Sequence, residues 1–470
     1  MDSIEYFSSK VSLYRPEFLR LTEEDLQKSK DRTCREIISP SYSYRALQDS
    51  LSKCINSGKS HLNEDQAAVG IYMLRLQTSL KLQSLSNKNL SRILPYQYFA
   101  IFDGHGGTEA AIYAANSLHL IIYQKLTEAH NFYATLPSIN SELSTDQQIG
   151  NERQSCSISG GCTAIMALYF EKHLYVANAG DCRALIIKQG IMEQLSTDFN
   201  PITDRQRLQY LAYLQPELLH AYYNRLYFKQ RIRKTDVGKP VVYKDMDMVG
   251  WGTKIASEED FELVPMIRGG GKQCRLLDII STTRGFGDFD LKCQEGGPYL
   301  KPFLTSCPEV KSLALDQDSY GPDDILILGC DGLYESLSNE EIGKIVLDCL
   351  QKCGREDNFR YAKAAKTLVE TCRGMYDGRH WMKNDVELAS QDDISAFIIP
   401  LINEDHLMEI KEANNSTVET CRGMYDGRHW MKNEVELASQ DDISAFIIPL
   451  INEDHLMEIK EANNSTGINH

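Results

Sequence analysis

Two stretches of the chain share one hydrophobic pattern, in which an apolar run ends abruptly at aspartate and glycine. In the first, Tyr98-Phe-Ala-Ile-Phe leads into Asp103-Gly-His105-Gly-Gly. In the second, Ile-Leu-Ile-Leu-Gly-Cys leads into Asp331-Gly. Short apolar runs bounded by turn residues are typical of strands in a protein core. The pattern therefore predicts two buried strands, each with a carboxylate at its end.

The segment after the first of these turns has the periodicity of a helix. Apolar residues recur every three or four positions from Ala111 to Leu126, and Thr108 is placed to cap the first turn. We therefore predict a helix from Thr108 to about Ala129. The glycines before it let another group approach the backbone, so the turn is suited to either a metal or a phosphate.

The same patterns predict further elements along the chain. A β-rich region starts at Ser159, with a hairpin-like connection at Glu171-Lys-His. Helices are predicted at Asn339–Cys353 and Tyr361–Cys372, whereas the polar residues 135–158 predict a loop.

Composition divides the chain into regions. Residues 1–57 are polar and punctuated by proline, which predicts an N-terminal extension. Residues 58–402 predict one domain, with a tyrosine-rich insertion at about 199–275, and residues 403–470 form a tail. Within the insertion, the basic run Lys229–Lys234 is either a solvated face or a docking surface for acidic substrates.

The end of the chain contains a near-perfect duplication. Residues 369–417 recur as 418–466, and the copies differ only at Asp385, which is Glu434 in the second. Each copy carries an acidic pair followed by a strand pattern, and one strand position cannot accept both. Because the first copy continues directly from the preceding helix, we predict that it completes the core. The duplication reflects either a tandem exon duplication or two alternative exons joined in one gene model.

Overall composition narrows the class of protein. The 470 residues are 42% apolar and 25% charged, ordinary proportions for a globular protein. The net charge of −16 argues against a nucleic-acid or anionic-membrane binder. We expect no membrane span, because no run of about 20 apolar residues occurs. The 13 cysteines without a Cys-x-x-Cys pair, and first residues that lack a signal-peptide pattern, predict a cytoplasmic and/or nuclear protein.

Acidic residues recur at predicted strand ends and turns. They are Glu64, Asp65, Asp103, Asp181, Asp331 and Asp392. Hard divalent cations prefer oxygen ligands, and single carboxylates on different strands can build such a site. Two cations that share a carboxylate would polarise a phosphoryl oxygen and generate hydroxide at neutral pH. Each Asp-Gly alone is most often only a turn, so the prediction depends on the whole set.

In chain order, six motifs resemble those of the metal-dependent protein Ser/Thr phosphatases of the PP2C type, the PPM family. They are Asp-Gly-His-Gly-Gly at 103–107, Ser-Gly-Gly-Cys-Thr-Ala at 159–164, Asn-Ala-Gly-Asp-Cys-Arg at 178–183, Thr-Thr-Arg-Gly-Phe-Gly-Asp at 282–288, Gly-Cys-Asp-Gly-Leu at 329–333 and Asp-Asp-Ile-Ser at 392–395. The resemblance covers roughly residues 58–402, and the long insertion is most similar to the H/J/M branch.

The resemblance implies an α+β fold, a four-layer α-β-β-α sandwich of two antiparallel sheets flanked by helices, with an enlarged flap formed by the insertion. It also implies that Asp103 bridges two Mn²⁺ or Mg²⁺ ions. Glu64 and the backbone carbonyl of Gly104 would bind one ion. Asp331 and Asp392 would bind the other.

The remaining roles follow from the same resemblance. Asp65 would orient the metal-activated water, and His105 would be the general acid that protonates the leaving oxygen. Asp181 would belong to a weaker third metal site. Asp441, the equivalent of Asp392 in the second repeat copy, is an alternative metal ligand.

Three positions depart from the family pattern. Ser60 stands where the family commonly has a phosphate-binding arginine, and the adjacent Lys59 is the candidate phosphate-binding residue, as a point charge without the arginine fork. Glu335 replaces an aspartate often found at the third metal site. Asp393 replaces the usual asparagine after the last metal ligand and adds a charge there.

The predicted function is therefore hydrolysis of phosphoserine and phosphothreonine in phosphorylated protein substrates. The alternative is a catalytically inactive relative that serves as a scaffold or interaction protein. The four side chains implied to bind the two ions, Glu64, Asp103, Asp331 and Asp392, are all carboxylates, which favours the enzyme. A metal-dependent nuclease is disfavoured by the acidic net charge.

Overall fold

A computed structural model describes most of the chain between its first short strand and residue 401. The described residues are 37–38, 51–54, 63–76, 92–134, 144–270, 273–293, 297–315, 320–321, 323–355, 357, 359–384 and 386–401.

The strands are numbered in chain order. They are β1 (Ile37–Ile38), β2 (Leu51–Cys54), β3 (Gln66–Leu76), β4 (Arg92–His105), β5 (Gly161–Phe170), β6 (His173–Ala179), β7 (Arg183–Lys188), β8 (Ile191–Gln194), β9 (Tyr223–Asn224), β10 (Tyr227–Phe228), β11 (Pro240–Lys244), β12 (Gly252–Ile255), β13 (Val264–Pro265), β14 (Ile267–Arg268), β15 (Arg275–Leu276), β16 (Phe286–Gly287), β17 (Glu309–Ala314), β18 (Ile325–Gly329), β19 (Met375–Tyr376), β20 (Trp381–Met382) and β21 (Ile394–Pro400).

The described α-helices are numbered in the same way. They are α1 (Glu109–Ala134), α2 (Thr145–Glu152), α3 (Arg205–Leu214), α4 (Glu258–Glu262), α5 (Asp331–Tyr334), α6 (Asn339–Cys353) and α7 (Arg360–Arg373). None of the helices among the described residues combines the length and the apolar character that a membrane span requires.

Two large antiparallel sheets organise the fold, which is of the mixed α+β class. One has the strand order β17-β6-β5-β4-β3, with β16 paired to β5, and the other has the order β1-β2-β21-β18-β7-β8. Antiparallel pairing brings the end of each strand beside the start of its neighbour. The end of β4 therefore lies beside the start of β3, and the end of β18 lies beside the starts of β7 and β21.

Three groups of buried side chains form the core around these sheets. The first joins α1 to one face of the β4 sheet, and includes Phe102 and Ala115. The second contains side chains of both sheets, such as Phe99 of β4 and Phe397 of β21. The third joins the other face of the β18 sheet to α6 and α7. Each large strand thus sends alternate side chains into different clusters, as the period of two requires.

Several predicted elements are confirmed in the described part of the chain. The helix after the first turn begins at Glu109 and ends at Ala134, somewhat later than predicted, and the Ile112 N–H bonds to the Thr108 carbonyl at 3.0 Å. The β5–β6 hairpin turns at Glu171 and Lys172, whose φ angles are 43° and 66°. The helix at Asn339–Cys353 has the predicted bounds.

The loop predicted at residues 135–158 is wrong in part, because it contains α2. This short helix is started by a capping box, in which Ser144 and Gln147 exchange hydrogen bonds between side chain and backbone. The Ser-x-x-Gln spacing was visible in the sequence, but it is not followed by a clear apolar period.

The insertion forms a small unit with its own core. Buried side chains from α3, β14 and β15 pack together with Phe303 and Leu304, which follow the insertion in sequence. A three-stranded sheet in the order β10-β11-β12 lies in the same insertion. The packing of the insertion thus reaches beyond residue 275, where its sequence pattern ends.

The β18 sheet joins the end of the predicted domain to residues that precede it. Strand β2, which lies within residues 1–57, pairs with β21, so this sheet extends into the predicted N-terminal extension. Strand β21 belongs to the first repeat copy and is paired on both sides, with β2 and β18. The second repeat copy lies outside the described residues.

Candidate active site

The two sheets bring the predicted carboxylates to one place because their strands start or end at a common edge. Asp103 lies near the end of β4, where it is opposite Thr163 of β5. Asp331 is the first residue of α5, and its backbone N–H points at Asp103 Oδ2 over 3.4 Å. The two carboxylates that the sequence pattern predicted at strand ends therefore lie near the end of β4 and just after the end of β18.

Asp103 is the electrostatic centre of this cluster. Its pKa is raised well above the ordinary value, first by burial and then by the negative charges of four neighbouring aspartates. These neighbours are Asp331, Asp65, Asp392 and Asp181, in decreasing order of effect. Carboxylates that repel each other so strongly need either protons or cations. The structure therefore brings together five of the six acidic residues singled out from the sequence.

Glu64, the sixth acidic residue, is held by hydrogen bonds to both its backbone and its side chain. Its N–H donates to Asp393 Oδ2 at 2.6 Å, and its Oε1 accepts the Gly107 N–H at 2.8 Å. Burial raises the pKa of Glu64, the Gly107 N–H lowers it, and Asp393 and Asp392 raise it further. Asp393, the departure noted in the sequence, thus ties the β21 end of the site to Glu64.

Gly104 sits where no larger residue fits. A Cβ built on Gly104 would lie 2.5 Å from the Glu64 backbone oxygen. The backbone just before β3 therefore packs tightly against the residue whose carbonyl was predicted as a metal ligand. The absence of a side chain is a steric requirement here.

Asp65 is buried and held in a fixed orientation. Its Oδ2 accepts the Ser395 hydroxyl hydrogen at 2.6 Å, and Ser395 is part of β21. Asp65, Asp103 and Cys330 offer ligand atoms within 4.8 Å of one another. The chain thus supplies two carboxylates and one thiol close to the point where both sheets meet.

The thiol of Cys330 does not suit the role of a ligand. Its sulfur accepts the Ser395 N–H at 3.0 Å and donates to the Asp393 carbonyl at 3.2 Å. Burial, followed by the charges of Asp65 and Asp103, raises the pKa of this thiol well above its usual value. It therefore stays protonated, whereas metals bind the thiolate. The remaining donors are oxygen atoms, which fit hard cations such as Mg²⁺ and Mn²⁺.

His105 lies at the end of β4, two residues beyond Asp103, and its nearest charged partner is Asp288. The His105 Nε2 and Asp288 Oδ2 are 2.7 Å apart, and the Asp288 side chain is only 1% exposed. Burial alone lowers the pKa of His105, but the hydrogen bond and charge of Asp288 raise it, and the net shift is upward. Asp288 is the last residue of the motif at 282–288, and no role was predicted for it from the sequence. Its separation from His105 by 183 residues hides the contact.

Two predicted site residues lie outside the described residues. They are Lys59, the candidate phosphate-binding residue, and Asp441, the alternative ligand from the second repeat copy.

The acidic cluster gives the metal-free protein an unusual dependence on pH, which is our first prediction. The folded-state pKa of both Asp103 and Glu64 is raised, so the folded protein binds protons more tightly than the unfolded chain. This stabilisation is complete below the unfolded pKa values of about 4 and is lost as the pH rises through the folded values. We expect the Tm in EDTA to fall from pH 5 to pH 8.

Saturating Mn²⁺ should flatten or reverse this slope, because the cation replaces the protons and competes with them best at high pH. Thermal denaturation in EDTA and in Mn²⁺ across the same pH range measures the difference. Other titrating groups, including His105, act in both series and largely cancel in the comparison. Parallel slopes in the two series would contradict the prediction.

Comparison with known proteins agrees with this geometry. The family model of protein phosphatase 2C matches residues 73–207 and 266–376. The chain is 35% identical to protein phosphatase 1H of Xenopus tropicalis, over 83% of this chain and 92% of the relative. It is 33% identical to protein phosphatase 1J of Mus musculus, over 83% and 86% of the two chains. It is 34% identical to protein phosphatase 1M of Mus musculus, over 84% and 92%.

The family match and these relatives show that the chain is a metal-dependent phosphoprotein phosphatase, and the acidic centre is consistent with this class. The chain belongs to the protein phosphatase 2C family, in the branch that contains phosphatases 1H, 1J and 1M. The two segments matched by the family model leave out residues 208–265, which lie within the insertion.

Proposed function

We propose that the chain hydrolyses phosphoserine and phosphothreonine in proteins by direct attack of water on phosphorus, at a centre of two Mn²⁺ or Mg²⁺ ions. The observation that carries the proposal is the convergence of carboxylates on the buried Asp103, whose pKa is raised first by burial and then by the charges of these neighbours. Such a concentration of negative charge costs stability unless cations balance it.

The residues that would hold the ions are those predicted from the sequence. Asp103, on which the charges of four other aspartates act, would bridge the two ions, and Glu64 and the Gly104 carbonyl would hold the first ion. Asp331 and Asp392 would hold the second ion. When bound, the ions would neutralise the phosphate dianion and lower the pKa of the attacking water.

Other side chains of the site would complete the reaction. Asp65, held by the Ser395 hydroxyl, would orient the attacking water. His105 would give a proton to the departing serine or threonine oxygen. Asp181, whose charge acts on both Asp103 and His105, would contribute to a weaker third cation site.

The wider architecture would support the same chemistry. We propose that the fold is the four-layer α-β-β-α sandwich, which is supported by the core clusters described above. The insertion would act as a flap that shapes the choice of phosphoprotein substrate.

Asp331→Asn tests the proposed function. Asparagine keeps the size of the side chain but removes the charge, and we expect Mn²⁺-dependent hydrolysis of a phosphothreonine peptide to fall by about 100-fold or more. Glu340→Gln is the matched control, because Glu340 is an exposed carboxylate nearby, and it should retain wild-type activity. Activity of Asp331→Asn equal to wild type, or wild-type turnover that does not depend on metal, would refute the proposal.

A further inference from the structure

We propose that Asp288 is a positioning residue for the phosphatase reaction. Its carboxylate accepts the Nε2–H of His105, so that Nδ1 is the ring nitrogen left to face the departing serine or threonine oxygen. The inference rests on the proposed function, in which His105 protonates that oxygen. The imidazolium gives its Nδ1 proton to the oxygen that keeps the electron pair of the broken P–O bond. The neutral ring then retains Nε2–H on Asp288 and regains the lost proton from solvent.

The backbone of Asp288 is fixed in an unusual conformation. Its φ angle is 58°, in the left-handed region that aspartate tolerates better than most residues. Its N–H donates to the Gly160 carbonyl at 2.9 Å. The preceding residues, β16, pair with β5 beside the end of β4. The carboxylate is therefore aimed at His105 by the sheet that also carries Asp103.

The neighbouring strand leaves space for this carboxylate. A Cβ built on Gly161 would lie 2.2 Å from Asp288 Oδ2. Gly161 is the residue opposite His105 in the β4–β5 pair. Any other residue at position 161 would therefore displace the group that bonds the His105 ring.

A second set of hydrogen bonds holds the backbone next to Asp288, and these bonds involve Asp146. The Gly287 N–H donates to Asp146 Oδ1 at 2.8 Å, and Lys301 Nζ donates to Asp146 Oδ2 at 2.6 Å. Asp146 lies in the first turn of α2, the helix that sequence analysis missed. The turn that holds Asp288 is thus tied to both a strand and a helix.

The bonding of Asp288 is poor for a purely structural role. Among the described residues, its buried Oδ1 has no hydrogen-bond partner, while its Oδ2 bonds only to His105. A buried carboxylate with one unsatisfied oxygen costs stability, and well-packed apolar residues would serve the fold better. The arrangement is explained if the carboxylate acts on the His105 ring.

Asp288→Asn tests the proposal through its dependence on the leaving group. The amide retains the size of the side chain but can present N–H to Nε2, which favours the wrong ring tautomer. We expect kcat on a phosphothreonine peptide to fall by about 100-fold with an unchanged KM. With p-nitrophenyl phosphate, whose leaving group needs little protonation, the loss should stay below about threefold. Asp290→Asn is the matched control, since Asp290 lies two residues on and its side chain is 74% exposed.

Further measurements separate positioning from folding and from metal binding. The Tm of Asp288→Asn should not fall below that of wild type, and its calorimetric Mn²⁺ affinity should match that of wild type. In a His105→Gln background, Asp288→Asn should cause no further loss on the peptide, because both changes remove one function. Equal losses on the two substrates, no loss on the peptide, or multiplying losses in the double variant would each overturn the proposal. If wild type itself shows no metal-dependent peptide hydrolysis, it is the proposed function that has failed.

Discussion

Replacing Asp103 by asparagine is expected to abolish phosphatase activity and, at the same time, to stabilise the metal-free protein. Asp103 is the carboxylate on which the charges of Asp331, Asp65, Asp392 and Asp181 act together. Without its charge the proposed bridge between two ions is lost, and we expect peptide hydrolysis to fall by at least about 1,000-fold. In the metal-free protein, the ionised form of Asp103 is strongly destabilised, as its raised pKa indicates.

The gain in stability should be visible at pH 8 in EDTA. Wild type must then either hold a proton on Asp103 or keep a repelled charge in the site, whereas asparagine needs neither. We expect a Tm increase of about 2 °C or more. Saturating Mn²⁺ should raise the Tm of wild type much more than that of the variant. A variant that is less stable than wild type in EDTA would show that the cluster is not under electrostatic strain.

The clustering of carboxylates around Asp103 could be predicted from sequence because these residues lie near the ends or starts of strongly patterned strands. The apolar runs before Asp103 and Asp331 are local signals, and antiparallel pairing necessarily gathers strand ends at one edge. Helix α6, which has the predicted bounds, is also specified locally, because Ser338 caps its first turn and an amphipathic period follows.

The support around the centre could not be predicted, because it depends on contacts between distant segments. Asp288 reaches His105 across 183 residues, and Asp393 reaches the backbone of Glu64 across 329. Neither residue lies in a periodic pattern that would reveal its partner. Strand β2 has only four residues, Leu-Ser-Lys-Cys, which is too short a pattern to predict its pairing with β21.

Asp392→Asn and Asp441→Asn provide a matched pair of substitutions that the chain itself supplies, since both residues lie in the same local sequence. We expect Asp392→Asn to lower peptide hydrolysis by at least about 100-fold, and Asp441→Asn to leave it unchanged. The reason is that the first copy already contacts the site. Its Ser395 bonds to Asp65, and its Asp393 bonds to Glu64.

A chain that ends at Asn415 extends the same argument. Strand β21 is paired on both sides, by β2 and by β18, so a second strand of the same sequence cannot enter this position without expelling the first. The shortened chain should therefore keep wild-type kcat and Mn²⁺ affinity, as measured by peptide hydrolysis and calorimetry. If truncation abolishes Mn²⁺ binding, or if Asp441→Asn is the inactivating member of the pair, then the second copy supplies the ligand and the first copy does not.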